Sequence, residues 1–172
     1  MRPLRLGDLC KEMRIIAIIF MLLVPTVSFG IEKADMVLVI KSDSKLYLKK
    51  NGKVFKEYHV AFGANPEGHK KQEGDERTPE GRYFLDYKKS DSAFYKSIHI
   101  SYPNEADKKQ AKEAGLNPGG LIMIHGQKNG LGWLSWITQR FNWTDGCIAV
   151  SNNAMDEIWN SVNVGTPIEI KP

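Results

Sequence analysis

Two side chains in this 172-residue sequence have the type and the surroundings for nucleophilic chemistry, Cys147 and His125. Cys147 sits in Trp143-Thr144-Asp145-Gly146-Cys147-Ile148-Ala149-Val150, where a polar, glycine-containing turn hands over to an apolar run. A thiol there stands at the start of a strand rather than deep inside one. Gly146 lacks a Cβ, so backbone can approach a substrate carbonyl closely, and the amides around the cysteine are candidate donors to an oxyanion. A thiol is only a few per cent ionised near neutral pH and needs a base or a positive field before it attacks an amide. His125 is the candidate base: it ends the apolar run Leu121-Ile122-Met123-Ile124, and the Gly126 carbonyl after it can hold the ring in one tautomer. The two lie 22 residues apart, enough to bring two strand ends together across an intervening segment. That pairing would serve acyl transfer. On residue type alone other readings stay open: a strand-end histidine is commonly structural, and a lone thiol can be inert and buried or bridged to another chain.

The elements that must position this pair read as mainly β. Met36-Val37-Leu38-Val39-Ile40 is β-rich, and Lys45-Leu46-Tyr47-Leu48-Lys49 alternates as a half-buried strand does. Asn51-Gly52 predicts a hairpin turn, with Val54 to Phe62 as the returning strand. Residues 63 to 81, rich in Gly, Pro and charge, read as a long loop, with Thr78-Pro79-Glu80-Gly81 as a turn. Further strands are expected at 82–87, 97–102, 121–124 and 167–170, giving about seven to nine strands.

Helices are expected at 104–115 and 154–162, the second capped by Ser151-Asn152-Asn153. In the first, Asp107 and its charged neighbours should face solvent while Ala106, Ala111 and Ala114 pack. Trp133, Trp136, Ile137, Phe141 and Trp143 predict a short helix packed on the sheet, with a lid or groove wall as the alternative. The class is therefore mainly β with two or three short helices, in one domain over 31–172.

Residues 1–30 are set apart. Arg14 precedes about ten apolar residues, then Pro25 and the small side chains Ser28 and Gly30, the order of a cleaved secretory signal and too short for a retained span. The expected location is the periplasm or cell envelope, with no stable membrane insertion after removal. Losing this segment takes the formal charge from +4 to +2, and no arginine-rich or aromatic-interleaved block suggests nucleic acid. It also leaves Cys147 without an internal disulfide partner. No metal or other cofactor is expected, since none of the four histidines lies at ligand spacing from cysteine or paired carboxylates. His59, His69 and His99 read as structural or solvent-exposed.

Several ordered segments carry a family resemblance: Val37-Leu38-Val39 with Leu46-Tyr47-Leu48, Gly74-Asp75-Glu76-Arg77-Thr78-Pro79-Glu80-Gly81, Ile100-Ser101-Tyr102-Pro103-Asn104, Gly119-Gly120-Leu121-Ile122-Met123-Ile124-His125-Gly126, and Thr144-Asp145-Gly146-Cys147. Together, residues 36–171 resemble the L,D-transpeptidase catalytic domain, the YkuD-like family. The resemblance implies a β-sandwich with Cys147 as nucleophile, His125 as base and the Gly126 carbonyl as its orienting partner. It implies peptidoglycan stem peptides as substrates, joined through a Cys147 thioester, and Gly146 falls on the motif's glycine.

Thr144, Asp145, Trp143 and Arg77 are then candidates for substrate or oxyanion contacts, Arg77 either pairing with a stem-peptide carboxylate or forming an exposed salt bridge to Asp75 or Glu76. Two positions depart from the family pattern: Asp145 stands where a second histidine is usual, and Ala149 where Asn or Arg is usual. A carboxylate there raises the thiol pKa unless it faces a cation, or else binds an amino group of the stem peptide. The departures keep two alternatives in view, an L,D-carboxypeptidase or murein endopeptidase with the same dyad, and a non-catalytic wall-binding module.

Overall fold

The computed structural model describes residues 30–172; the expected signal segment lies outside the described residues except for Gly30. From Ile31 onward the chain forms one unit. Eight strands make a single sheet: β1 (Met36–Ile40), β2 (Lys45–Lys50), β3 (Lys53–His59), β4 (Gly81–Ser92), β5 (Tyr95–Ile100), β6 (Met123–His125), β7 (Ile148–Ala149) and β8 (Thr166–Lys171). Their order is β3-β2-β1-β8-β4-β5-β6-β7, with β1/β8 and β6/β7 parallel and the other pairs antiparallel.

The sheet curls until its ends meet. Beyond β3, Ala61 bridges Ala149 at the opposite edge through reciprocal N–H···O bonds of 2.9 and 2.8 Å, and Gly63 bridges Thr144. The expected mainly β architecture is thus a continuous, curled ladder around one core. Alternation supplies that core: Val37 and Val39 of β1, Leu46 and Leu48 of β2 and Ile168 and Ile170 of β8 are buried. The hairpin turn forms at Asn51 and Gly52 with φ of 50° and 75°, the left-handed pair that a tight two-residue turn requires.

Three short α-helices complete the described residues: α1 (Glu105–Glu113), α2 (Ser135–Thr138) and α3 (Asn152–Ser161). α3 begins at Ser151, whose hydroxyl accepts the Ala154 N–H at 3.2 Å, and it buries Met155 and Ile158. In α1 the expected faces are partly reversed. Ala111 is buried, but Ala106 and Ala114 are exposed and Asp107 is buried. The cause is polar: Asp107 closes a capping box with Asn104, accepts the Tyr83 hydroxyl at 3.1 Å and pairs with His69 Nε2 at 3.1 Å.

The tryptophan segment also departs from expectation. It does form a short helix, α2, preceded by a 3-10 turn at Gly132–Leu134, but the aromatics are not core: Trp133, Trp136 and Phe141 are 69%, 63% and 64% exposed. Near-helical spacing reported the helix without reporting which face, if any, is covered.

The long loop 63–81 is held by charge. Asp75 pairs with the buried Lys70 at 2.8 Å and accepts backbone N–H groups from Lys71, Gln72 and Arg77 at 2.7, 3.1 and 3.1 Å. Burial pushes the Asp75 carboxyl up, but these donors outweigh it and hold the group at about 2. A carboxyl depressed below its unfolded value contributes stability above the unfolded pKa, and that contribution is lost as pH falls through the folded one. Loop protection in hydrogen exchange should therefore hold from neutral pH to about pH 4 and fall between about pH 4 and 2. Asp75→Ala, which strands Lys70, should cost roughly 2–4 kcal/mol in urea unfolding.

Candidate active site

Register builds the site. In the parallel β6/β7 pair, Ile124 lies beside Ile148 and His125 beside Ala149. Both isoleucines are fully buried on the core side, so alternation puts Met123, His125, Cys147 and Ala149 on the other side. Cys147, one residue before β7, is therefore a diagonal neighbour of His125 on one face. The two line a cavity of about 320 Å³ together with Trp143, Thr144 and Asp145.

His125 is buried, and its Nδ1 donates to the Gly126 carbonyl at 2.6 Å, which leaves Nε2 as the unprotonated nitrogen of the neutral ring. Phe94 packs on the ring at 4.8 Å between centroids and Trp143 edge-on at 5.9 Å. Burial pushes the imidazole pKa down, opposed by the Gly126 carbonyl. The half-buried thiol accepts the Met123 N–H at 3.4 Å and donates to the Leu121 carbonyl at 3.7 Å. Burial pushes its pKa up; the Met123 N–H and Lys70 pull it down, and Asp145 pushes it further up. Both shifts run toward the neutral forms, a thiol beside a neutral imidazole, and away from a thiolate–imidazolium pair.

The remaining predicted residues divide. Gly126 is pressed against α3, where an added Cβ would sit 2.7 Å from Asn152 Oδ1; the same oxygen accepts the Gln127 N–H at 2.8 Å. Asn152 thereby fixes the carbonyl that orients His125. Thr144 braces the turn, its hydroxyl donating to the Cys147 carbonyl at 2.7 Å and accepting the Gly146 N–H at 3.2 Å. The Gly146 amide, expected as an oxyanion donor, is thus occupied.

Gly146 has φ of 120°, and a Cβ there would lie 2.5 Å from the Arg77 carbonyl oxygen. Its missing side chain admits the backbone of loop 63–81, whereas a substrate carbonyl was expected. Arg77 is used through that backbone; its side chain lines a separate recess with Asn65, Lys71, Gln72, Asp75 and Leu116. Neither expected Arg77 salt bridge forms, since Asp75 pairs with Lys70. Ala149 is buried and hydrogen-bonds Ala61. His69 and His99 pair with Asp107 and Asp86, and His59 Nε2 lies 2.7 Å from the Gln139 carbonyl. Among the described residues, no three His, Cys, Asp or Glu side chains converge to hold a metal ion.

Several cavity residues carried no sequence signal. Leu121, expected inside a strand, precedes β6 at φ of 56° and is 71% exposed at the rim. Lys89, Ser92, Ala93, Phe94 and Ser97 reach the cavity from the β4–β5 hairpin. Asn129 anchors that hairpin: it accepts the Tyr95 N–H at 2.8 Å and donates to the Ser92 and Ala93 carbonyls.

This geometry accompanies a match of residues 34–170 to the YkuD model, the L,D-transpeptidase catalytic domain, and the chain belongs to that family. YafK of Escherichia coli (strain K12) is 33% identical over 97 residues, covering 55% of this chain and 32% of YafK. The crystal structure of the helical cell shape determining protein Pgp2 from Campylobacter jejuni is 28% identical with a TM-score of 0.61, covering 80% of this chain and 48% of Pgp2. An L,D-transpeptidase from Xylanimonas cellulosilytica shares the fold at 16% identity and a TM-score of 0.52, over 81% of this chain and 61% of that one. The chain thus spans about a third of YafK and about half of Pgp2.

Two outcomes are expected. Gly146→Ala should slow Cys147 modification by more than tenfold, read by mass after iodoacetamide treatment, because the new Cβ forces the turn off Arg77. In the native protein the labelling rate should climb with a midpoint above that of the denatured chain, and Asp145→Asn should move it down by removing a like charge.

Proposed function

We propose that this chain is an exported cysteine acyltransferase of the bacterial cell envelope that acts on peptidoglycan stem peptides. The observation that carries the reading is the placement of Cys147 and His125 on one face of a two-strand parallel ladder, lining one cavity, with the Gly126 carbonyl leaving Nε2 as the base. Export rests on the basic and apolar order of residues 1–30, and a role in cell shape on the likeness to Pgp2.

In the first step the thiol leaves the Leu121 carbonyl and passes its proton to Nε2. Sulfur then attacks the amide carbon between an L centre and a terminal D-residue. The C–N bond breaks, the imidazolium returns the proton to the departing amine, and a thioester remains on Cys147. An amine of a second stem, deprotonated by the same imidazole, attacks the thioester to form an L,D cross-link and restore the thiol. Water in that place gives a carboxypeptidase. A neutral imidazole with lowered pKa is suited to accept the proton at neutral pH.

Intact mass spectrometry of residues 31–172 with a carbapenem should give a single adduct, absent in Cys147→Ala and slowed at least tenfold in His125→Ala. A folded wild type that forms no adduct would overturn the thiol mechanism and favour a wall-binding module. Muropeptide analysis then identifies the acceptor: cross-linked dimers for an amine, shortened stems for water.

A further inference from the structure

The strand register extends the active-site row beyond its two reacting groups. Lys89 of β4 lies opposite Ser97 of β5, Ser97 opposite His125 of β6, and His125 beside Ala149 of β7. Paired residues in adjacent strands point to the same side, so Lys89 shares the face of His125 across two strand spacings, about 10 Å. The intervening Ser97 is small and buried, and all three residues line the reaction cavity.

Asp145 also lines the cavity, two residues before Cys147 and close enough to raise the thiol pKa. Among the described residues neither Lys89 nor Asp145 has an ion-pair partner. Lys70, the cation that lowers the thiol pKa, is held by Asp75. Among the described residues that line it, the reaction cavity therefore carries Lys89 as a free cation on the imidazole side and Asp145 as a free anion on the thiol side.

The geometry points to a dipolar acyl donor: Lys89 takes the C-terminal carboxylate of the leaving residue, and Asp145 takes an ammonium on the side chain of the residue that becomes the thioester. This assignment rests on the acyl-transfer reading above and adds the orientation of the substrate. The departing amine must receive its proton from His125, so the leaving residue lies on the imidazole side, toward Lys89. The acyl residue is bonded to sulfur and lies on the thiol side, toward Asp145. The incoming acceptor occupies the space the leaving residue vacates, beside the same lysine.

The test uses synthetic tetrapeptides with L-lysine third and D-alanine last, prepared with a free or amidated C-terminus and with a free or acetylated lysine amine. Release of the last residue is followed for wild type, Lys89→Ala and Asp145→Asn, each checked for a native melting transition, with one small amine in saturating excess as common acceptor so that acetylation alters the acyl donor alone. Wild type should prefer the free acid over the amide by about fivefold in kcat/KM, the scale of one partly solvated charge contact. Lys89→Ala should lose that preference and keep the preference for the free amine. Asp145→Asn should do the reverse; its effect on thiol ionisation acts on every peptide alike and cancels in the ratio. Equal turnover of acid and amide by wild type, or preferences that survive both substitutions, would overturn the charge assignment while leaving the acyl-transfer reading intact. Absence of turnover for every peptide would overturn both.

Discussion

The site depends on the pairing of two very short strands. β6 and β7 share only two residue pairs, and the side they bury, Ile124 against Ile148, decides which side His125 and Cys147 occupy. A slip of one residue would turn the thiol into the core and an isoleucine into the cavity. So short a parallel pair is weak by itself, and three neighbours hold it. Ala61 bonds the free edge of β7, the Val150 N–H reaches the His125 carbonyl at 2.9 Å, and Gln127 donates to the Val150 carbonyl at 2.8 Å. The packing that stabilises this part of the fold and the geometry that sets Cys147 beside His125 are the same contacts.

Beside that ladder the chain packs aromatic rings on the imidazole. Phe94 and Trp143 exclude water from one side of the imidazole, which lowers its basicity and keeps it unprotonated. Burial also pushes the thiol pKa up.

Much of this was legible in sequence where a local rule and the tertiary result agree. Alternation found the core strands, Asn51-Gly52 found its turn, and Ser151 found the cap of α3. The Cys147 and His125 segments could be singled out because a polar turn meeting an apolar run is itself local. Legibility ended where a residue's role depends on a distant partner. Asp107 looked like a solvent-facing charge until Tyr83 and His69 closed around it. Arg77 looked like a guanidinium in search of a carboxylate, yet its carbonyl is what meets Gly146. The exposed Trp133 and Trp136 obeyed helical spacing without a surface to pack on. Lys89 was invisible because its relation to His125 exists only through the register of three strands.

The bridge between Ala61 and Ala149 joins positions 88 residues apart, and it borders Cys147. Closing so long a stretch of chain carries an entropic cost that is repaid only after the intervening strands have found their places. The edge that covers β7 is therefore supplied by a contact of far longer sequence separation than the β6/β7 pairing that sets Cys147 beside His125. Without that cover Cys147 loses part of the burial that raises its pKa in the folded chain, so an incompletely closed sheet exposes the more readily ionised thiol.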